Sequence, residues 1–151
     1  EDAGKSIDYS VLVVIACAFS LGAAVQHVGL AGLISDSLIE FVDTPILALI
    51  AVYLTTALLT ELMTNNAAAI IMLPIAITVS EKLGVDYQAF AVVVMIAASA
   101  SFMTPTGYQT NLMVMGPGGY RFSDYFKVGA PLSALVAVAA LILVPIAWPL
   151  V

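Results

Sequence analysis

The side chains able to do chemistry lie in two short polar stretches set in an otherwise apolar chain. The first is Glu61-Leu62-Met63-Thr64-Asn65-Asn66-Ala67-Ala68-Ala69, between apolar runs at about 45–59 and 67–79. The second is Thr104-Pro105-Thr106-Gly107-Tyr108-Gln109-Thr110-Asn111. In hydrocarbon an unpaired amide costs several kcal/mol, so consecutive polar side chains mark a turn of the chain or the lining of a wet cavity. A turn that ends one helix and starts another presents free N–H groups and the positive end of a helix dipole. Asn65 or Asn66 is expected to cap an arm beginning at Ala67, and Thr110 or Asn111 a half-helix over 112–116. Two such starts aimed at one point would hold an anion. The carbonyls of the helices that end there suit a hard cation such as Na⁺.

No Lys or Arg lies near either stretch. An anion there would be balanced by helix ends, amides, hydroxyls and co-bound cations, and that dependence couples anion entry to cation entry, which is symport. Glu61 is the one acid deep in an apolar segment. Such a residue could ligate a cation, carry a proton or hydrogen-bond the backbone of the turn. The bland alternative for both stretches is a pair of kinks stabilised by neighbouring helices.

Composition says what frame must carry these residues. The chain has 151 residues, 62% hydrophobic and only 9% charged, against about 25% charged in a soluble domain. The expectation is an all-α integral membrane protein. A net charge of −6 argues against nucleic acid as a partner. A single Cys17 excludes an internal disulfide or a cysteine metal cluster. One His, one Cys, no paired intramembrane carboxylates and no serine motif argue against an enzyme. The opening Glu1-Asp2, without a basic region, reads as no cleavable signal peptide, and as a fragment or a chain cut at a linker.

Residues 1–8 read as the tail of a linker. An uncharged run over 9–34, roughly 26 residues, reads as one spanning helix with Gly22, Gly29 and Gly32 for close packing. Gln26 and His27 fall toward its far end, His27 as an interfacial or hydrogen-bonded side chain, and Cys17 as packing. Residues 35–45 form an acidic connection, with Pro45 opening the next helix. The segment 46–80 holds the first polar stretch at its centre and reads as a hairpin, followed by a polar turn at 81–86.

From 87 to 120 the chain is uncharged for about 34 residues, too long for one straight span of about 20. Pro105, Gly107 and the polar cluster divide it into a broken helix over 87–116, with a small-residue packing face at Ala97-Ala98-Ser99-Ala100-Ser101. Gly116-Pro117-Gly118-Gly119 lacks a following Lys-Ser/Thr and reads as a helix stop rather than a phosphate loop. Residues 121–127 read as a polar link, and 128–151 as a last span anchored by Trp148.

The four basic residues choose between topologies. A single broken crossing over 46–80 leaves Lys5 and Lys82 on one side and Arg121 and Lys127 on the other, with no bias. A hairpin that returns to its own side gathers Lys5, Arg121 and Lys127, opposite Lys82 with Asp36, Glu40, Asp43, Glu81 and Asp86. The positive-inside rule favours the hairpin and puts Lys5, Arg121 and Lys127 in the cytoplasm. The second arm reads as short and its turn has no charge or aromatic belt, which favours a re-entrant hairpin with a buried tip over two full spans.

Thr60-Glu61-Leu62-Met63-Thr64-Asn65-Asn66-Ala67-Ala68 with Leu73-Pro74-Ile75 resembles the second Ser-Asn-Thr hairpin motif of the divalent anion:sodium symporters, a family of dicarboxylate, citrate and sulfate carriers. Thr104-Pro105-Thr106-Gly107-Tyr108-Gln109-Thr110-Asn111-Leu112-Met113-Val114 resembles the broken-helix motif that follows that hairpin. The resemblance covers nearly the whole chain. Its Gly-Tyr-Gln-Thr-Asn form is similar to the sulfate-permease-like branch, whose members often carry soluble TrkA-C domains between their halves. Two departures point away from a dicarboxylate. Thr64-Asn65-Asn66 stands for Ser-Asn-Thr, and Tyr108-Gln109-Thr110 stands where dicarboxylate carriers tend to have Thr-Pro-Pro.

The resemblance implies the C-terminal one of two inverted repeats, a missing N-terminal half, a homodimer and an elevator motion. It implies a multi-pass protein of the plasma membrane, which is the inner membrane in a bacterium. The expected activity is sodium-coupled symport of a divalent oxyanion, sulfate ahead of dicarboxylate, with Na⁺ as coupling ion and no other cofactor. Thr64, Asn65, Asn66, Thr106, Gly107, Tyr108, Thr110 and Asn111 are the expected substrate residues. Thr64, Asn65, Thr104, Gly107 and Asn111 are the expected Na⁺ ligands, with Glu61 a candidate for ion coupling. Alternatives are a sodium/dicarboxylate symporter, a proton-coupled permease or antiporter of arsenite type using Glu61, and a non-transporting membrane scaffold.

Overall fold

The computed structural model describes residues 9–40 and 44–150, so the expected linker tail at 1–8, with Lys5, and Asp43 lie outside the described residues. Among the described residues there are seven helices and no strand. They are α1 (Tyr9–His27), α2 (Leu30–Glu40), α3 (Pro45–Leu62), α4 (Asn65–Leu83), α5 (Tyr87–Ser99), α6 (Gln109–Met115) and α7 (Phe122–Ala147). Three of these, α3, α4 and α7, are long and apolar enough to cross a membrane.

Local sequence sets most of the boundaries. Thr44 caps α3, with Pro45 at its first position, where a missing N–H costs nothing. Gly84 takes the left-handed conformation (φ 68°) that stops α4. Asp86 then caps α5, its carboxylate accepting the Gln88 N–H at 2.9 Å.

Three expected boundaries move. The run 9–34 is not one helix, because Gly29 turns to φ +74° and separates α1 from α2. The second hairpin arm is not short. It begins at Asn65, and Ser80, Glu81, Lys82 and Leu83 continue it to Gly84, so α4 has 19 residues against 18 in α3. The last helix starts at Phe122 rather than 128, because the Arg121 N–H donates to Asp124 Oδ2 at 2.9 Å and closes its first turn.

The core is the α3–α4–α5 triplet. Leu49, Val52 and Tyr53 of α3 pack with Met72, Ile75, Ala76 and Val79 of α4 and with Ala89, Phe90, Val93, Val94 and Ala97 of α5, all buried. Small residues on the last turn of α5 (Ala97, Ala98) let its backbone approach α3, as the sequence predicts. Helices α1 and α2 flank α4, where the Lys82 ammonium bonds Ser35 Oγ (2.8 Å) and pairs with Asp36. Helix α7 flanks α5 and leaves Leu135, Val138, Ile142, Leu143 and Ile146 on the outside. In a membrane such a face meets lipid or another apolar surface without cost.

Candidate functional site

Both polar stretches interrupt helices, and the fold presses the two interruptions together. Helix α3 ends at Leu62, and after Met63 and Thr64 the chain starts α4. Helix α5 ends at Ser99, and residues 100–108 run without regular structure into α6. The end of α3 lies against that irregular segment. Thr60 Oγ1 donates to Ala98 O at 2.5 Å. Glu61 Oε1 accepts the Met103 N–H at 2.9 Å, and the Glu61 carbonyl accepts the hydroxyls of Thr104 (2.8 Å) and Thr106 (3.3 Å). Thr104 Oγ1 in turn accepts the Gly107 N–H at 3.1 Å. Backbone groups freed by both breaks are therefore satisfied across the crossing, as groups away from water must be.

Asn65 is the hub of this crossing. Its amide end lies 2.9 Å from both Thr60 Oγ1 and Ser101 Oγ, 3.1 Å from Gly107 O and 3.2 Å from Ala98 O. The single proton of Thr60 is committed to Ala98 O, so the inward amide atom is assigned as Nδ2, a donor facing four oxygens. Gly107 is required by this approach. A Cβ there would stand 2.8 Å from Thr60 O and 2.9 Å from Ser101 Cβ.

Asn65 turned inward cannot cap α4, and the cap is Thr64, whose hydroxyl faces the Ala67 N–H at 3.4 Å. Similarly, Asn111 does not cap a half-helix. Its Nδ2 donates to Ser101 O and Thr104 O, each at 3.2 Å, and α6 starts earlier, at Gln109, with no side-chain cap. Asn65 and Asn111 thus act as tethers instead, the Asn65 amide finding acceptors in the neighbouring break and the Asn111 amide in its own.

The expected site residues divide in two. Asn65, Thr104, Gly107 and Asn111, with Glu61, are buried or half-buried and joined by the bonds above. Thr64, Asn66, Thr106, Tyr108 and Thr110 are exposed along the same crossing. Among the described residues, the side chains of Asn66, Tyr108 and Thr110 make no hydrogen bond within the chain. Glu61 is only 3% exposed, and its Oε2 has no partner among the described residues. Two residues of the hub escape the sequence reading of the site. Thr60 looks like one more helix residue, and Ser101 looks like part of the small-residue packing face. Their signal is a hydroxyl within two residues of each helix end.

The chain is similar in sequence to known transporters. A family model described as citrate transporter (CitMHS) matches residues 1–150. An uncharacterized transporter of Synechocystis sp. is 44% identical over 143 residues, covering 92% of this chain and 23% of that protein. Sodium/sulfate cotransporter 1 of Chlamydomonas reinhardtii is 42% identical over 144 residues, covering 93% of this chain and 16% of that protein. An uncharacterized transporter of Escherichia coli is 33% identical over 151 residues, covering 99% of this chain and 25% of that protein. The chain therefore spans a quarter or less of the length of these relatives. The match over residues 1–150 shows that this chain belongs to the citrate transporter family, in keeping with its resemblance to the divalent anion:sodium symporters.

Proposed function

We propose that this chain is the C-terminal half of a secondary transporter that carries a divalent oxyanion, sulfate ahead of dicarboxylate, together with Na⁺. The observation that carries the reading is the crossing itself, where two helix interruptions from different segments converge on Asn65 with no basic side chain among the partners. Amides, hydroxyls and carbonyls alone must then balance an anion, and a co-bound cation supplies the missing positive charge. Relatives named sodium/sulfate cotransporters support sulfate and Na⁺.

The division of the site by exposure supports separate places for the two cargoes. The inner oxygens around Asn65, Thr104, Gly107 and Asn111 suit Na⁺. The outer hydroxyls and amides of Thr64, Asn66, Thr106, Tyr108 and Thr110, with the first N–H groups of α4, face the anion. The missing half would close over them.

The hairpin reads as re-entrant. Helix α5 has 13 residues, about 20 Å at 1.5 Å per residue, which falls short of a hydrocarbon core about 30 Å thick. Its end therefore lies within the membrane, and the hairpin tip bonded to it lies at the same depth. Arg121 and Lys127 are then cytoplasmic and Lys82 is on the far side. The whole transporter would be a homodimer in the plasma membrane, moving its site by an elevator motion.

The test is uptake of labelled sulfate into vesicles holding the full-length parent protein, with and without a Na⁺ gradient and with succinate as competitor. Na⁺-dependent uptake that succinate does not block is the expected result. Uptake that ignores Na⁺ and follows pH instead would replace this reading by proton coupling, with the unpartnered Oε2 of Glu61 as the group to examine.

A further inference from the structure

Helix α6 is the loosest part of the crossing. It has seven residues, none of them buried. Among the described residues, one hydrogen bond ties it to another helix, from Tyr125 Oη of α7 to the Asn111 carbonyl at 2.7 Å. The Asn111 side chain is already held by the break, through Ser101 O and Thr104 O. Asn111 is thus gripped from both sides, by its amide from the break and by its carbonyl from α7.

The α7 side of the grip is stiff. The Tyr125 ring meets Tyr120 edge to face, with centroids 6.1 Å apart and planes at 74°. One turn further on, Gly129 is buried against the break itself. A Cβ there would overlap the Phe102 carbonyl and come within 2.8 Å of Met103 Cα. Beside this contact a cavity of about 360 Å³, lined in part by Phe102, Asn111, Tyr125 and Gly129, leaves α6 room to shift.

We propose that Tyr125 is a positioning residue: by holding the Asn111 carbonyl it fixes α6 and sets the affinity of the broken-helix half of the anion site. The affinity consequence rests on the transport reading above, whereas the positioning of α6 does not. Loss of one neutral hydrogen bond predicts about a fivefold weakening.

The experiment uses the full-length parent protein with three substitutions, Tyr125→Phe, Tyr125→4-aminophenylalanine and, as a control that keeps both rings, Tyr120→Phe. Two readouts are taken. The first is sulfate uptake, normalised to protein in the membrane. Tyr125→Phe should raise the half-saturating sulfate concentration about fivefold with little change in maximal rate. The aminophenylalanine variant, whose N–H can donate to the same carbonyl, should restore it, and Tyr120→Phe should match the parent. The second readout needs no substrate. With every native cysteine of the parent, Cys17 among them, changed to Ser, the alkylation rate of a Met113→Cys reporter on α6 should change several-fold in Tyr125→Phe and return in the aminophenylalanine variant. An unchanged alkylation rate in Tyr125→Phe overturns the positioning role whatever anion is carried. A changed rate with no sulfate uptake in the parent keeps the positioning role and removes the transport reading instead.

Discussion

The helix interruptions of this molecule are of two kinds. At Val28-Gly29 the chain breaks between α1 and α2 on one left-handed glycine. His27 and Val28 are exposed there, and an added Cβ at Gly29 would meet nothing within 4 Å. At the hairpin tip and at 100–108 the chain also breaks, but Thr60, Glu61, Asn65, Ser101 and Thr104 bond one break to the other. A helix end alone leaves a few orphaned backbone groups. Only where a second interruption supplies the partners does a rigid polar centre form inside an apolar protein. The α1–α2 break is a bend, and the crossing is the proposed site.

The largest test of that contrast exchanges glycine for alanine in both places. Gly107→Ala drives a methyl into Thr60 O and Ser101, an overpacking of about 1–3 kcal/mol at the centre of the site, and uptake should fall to background. Gly29→Ala costs about 1–2 kcal/mol of backbone strain, yet uptake per molecule in the membrane should stay at the parent level. Equal losses in the two variants would erase the distinction between bend and site.

Next come the hub hydroxyls. Thr60→Val and Ser101→Ala each remove one partner from the half-buried Asn65 amide, which keeps its other acceptors, a loss of about 0.5–1.5 kcal/mol. The concentration of Na⁺ giving half-maximal uptake should rise roughly fivefold for each, since about 1.4 kcal/mol is a factor of ten. Unchanged Na⁺ dependence in both would detach the hub from cation binding.

Glu61 sharpens the comparison further. Gln keeps an oxygen to accept the Met103 N–H, so Glu61→Gln should transport with unaltered pH dependence, while Glu61→Leu strands that N–H and should lose most activity. A flattened pH profile in Glu61→Gln would instead mark the carboxyl as a proton carrier.

The smallest effect belongs to Lys82, whose ion pair with Asp36 is largely open to solvent, with side chains 35% and 70% exposed. Lys82→Met should lower stability by less than about 1 kcal/mol, read as a small shift in thermal unfolding with uptake preserved. A large loss of uptake would show that the contact between α2 and α4 matters to transport in its own right.

The contrast also explains what could be read from the sequence. Thr64-Asn65-Asn66 and Thr104–Asn111 stand out because amides and hydroxyls are rare in so apolar a chain. Pro45, Gly84 and the small residues before Ser101 announce their local roles through backbone preference and size. The break at Gly29 is hidden, because a left-handed glycine needs no polar neighbour and hydrophobicity runs on unbroken through α1 and α2. The start of α7 at Phe122 is hidden because Ser123, Asp124 and Lys127 look like a connection, although Asp124 is what closes the first turn. Thr60 and Ser101 are hidden for a different reason. Their partners lie 38 and 36 positions away, and apolar helices give no periodic signal of which face turns inward. The inward turn of Asn65 and Asn111, which makes them tethers instead of caps, is likewise a product of the tertiary crossing.

The most direct test of the account is Na⁺-driven uptake of labelled sulfate by full-length Asn65→Ala, compared with His27→Ala at matched amounts in the membrane. Asn65 joins both breaks, and His27 lies exposed beside the empty bend. The account predicts background uptake for Asn65→Ala and parental uptake for His27→Ala. Parental uptake by Asn65→Ala would contradict it.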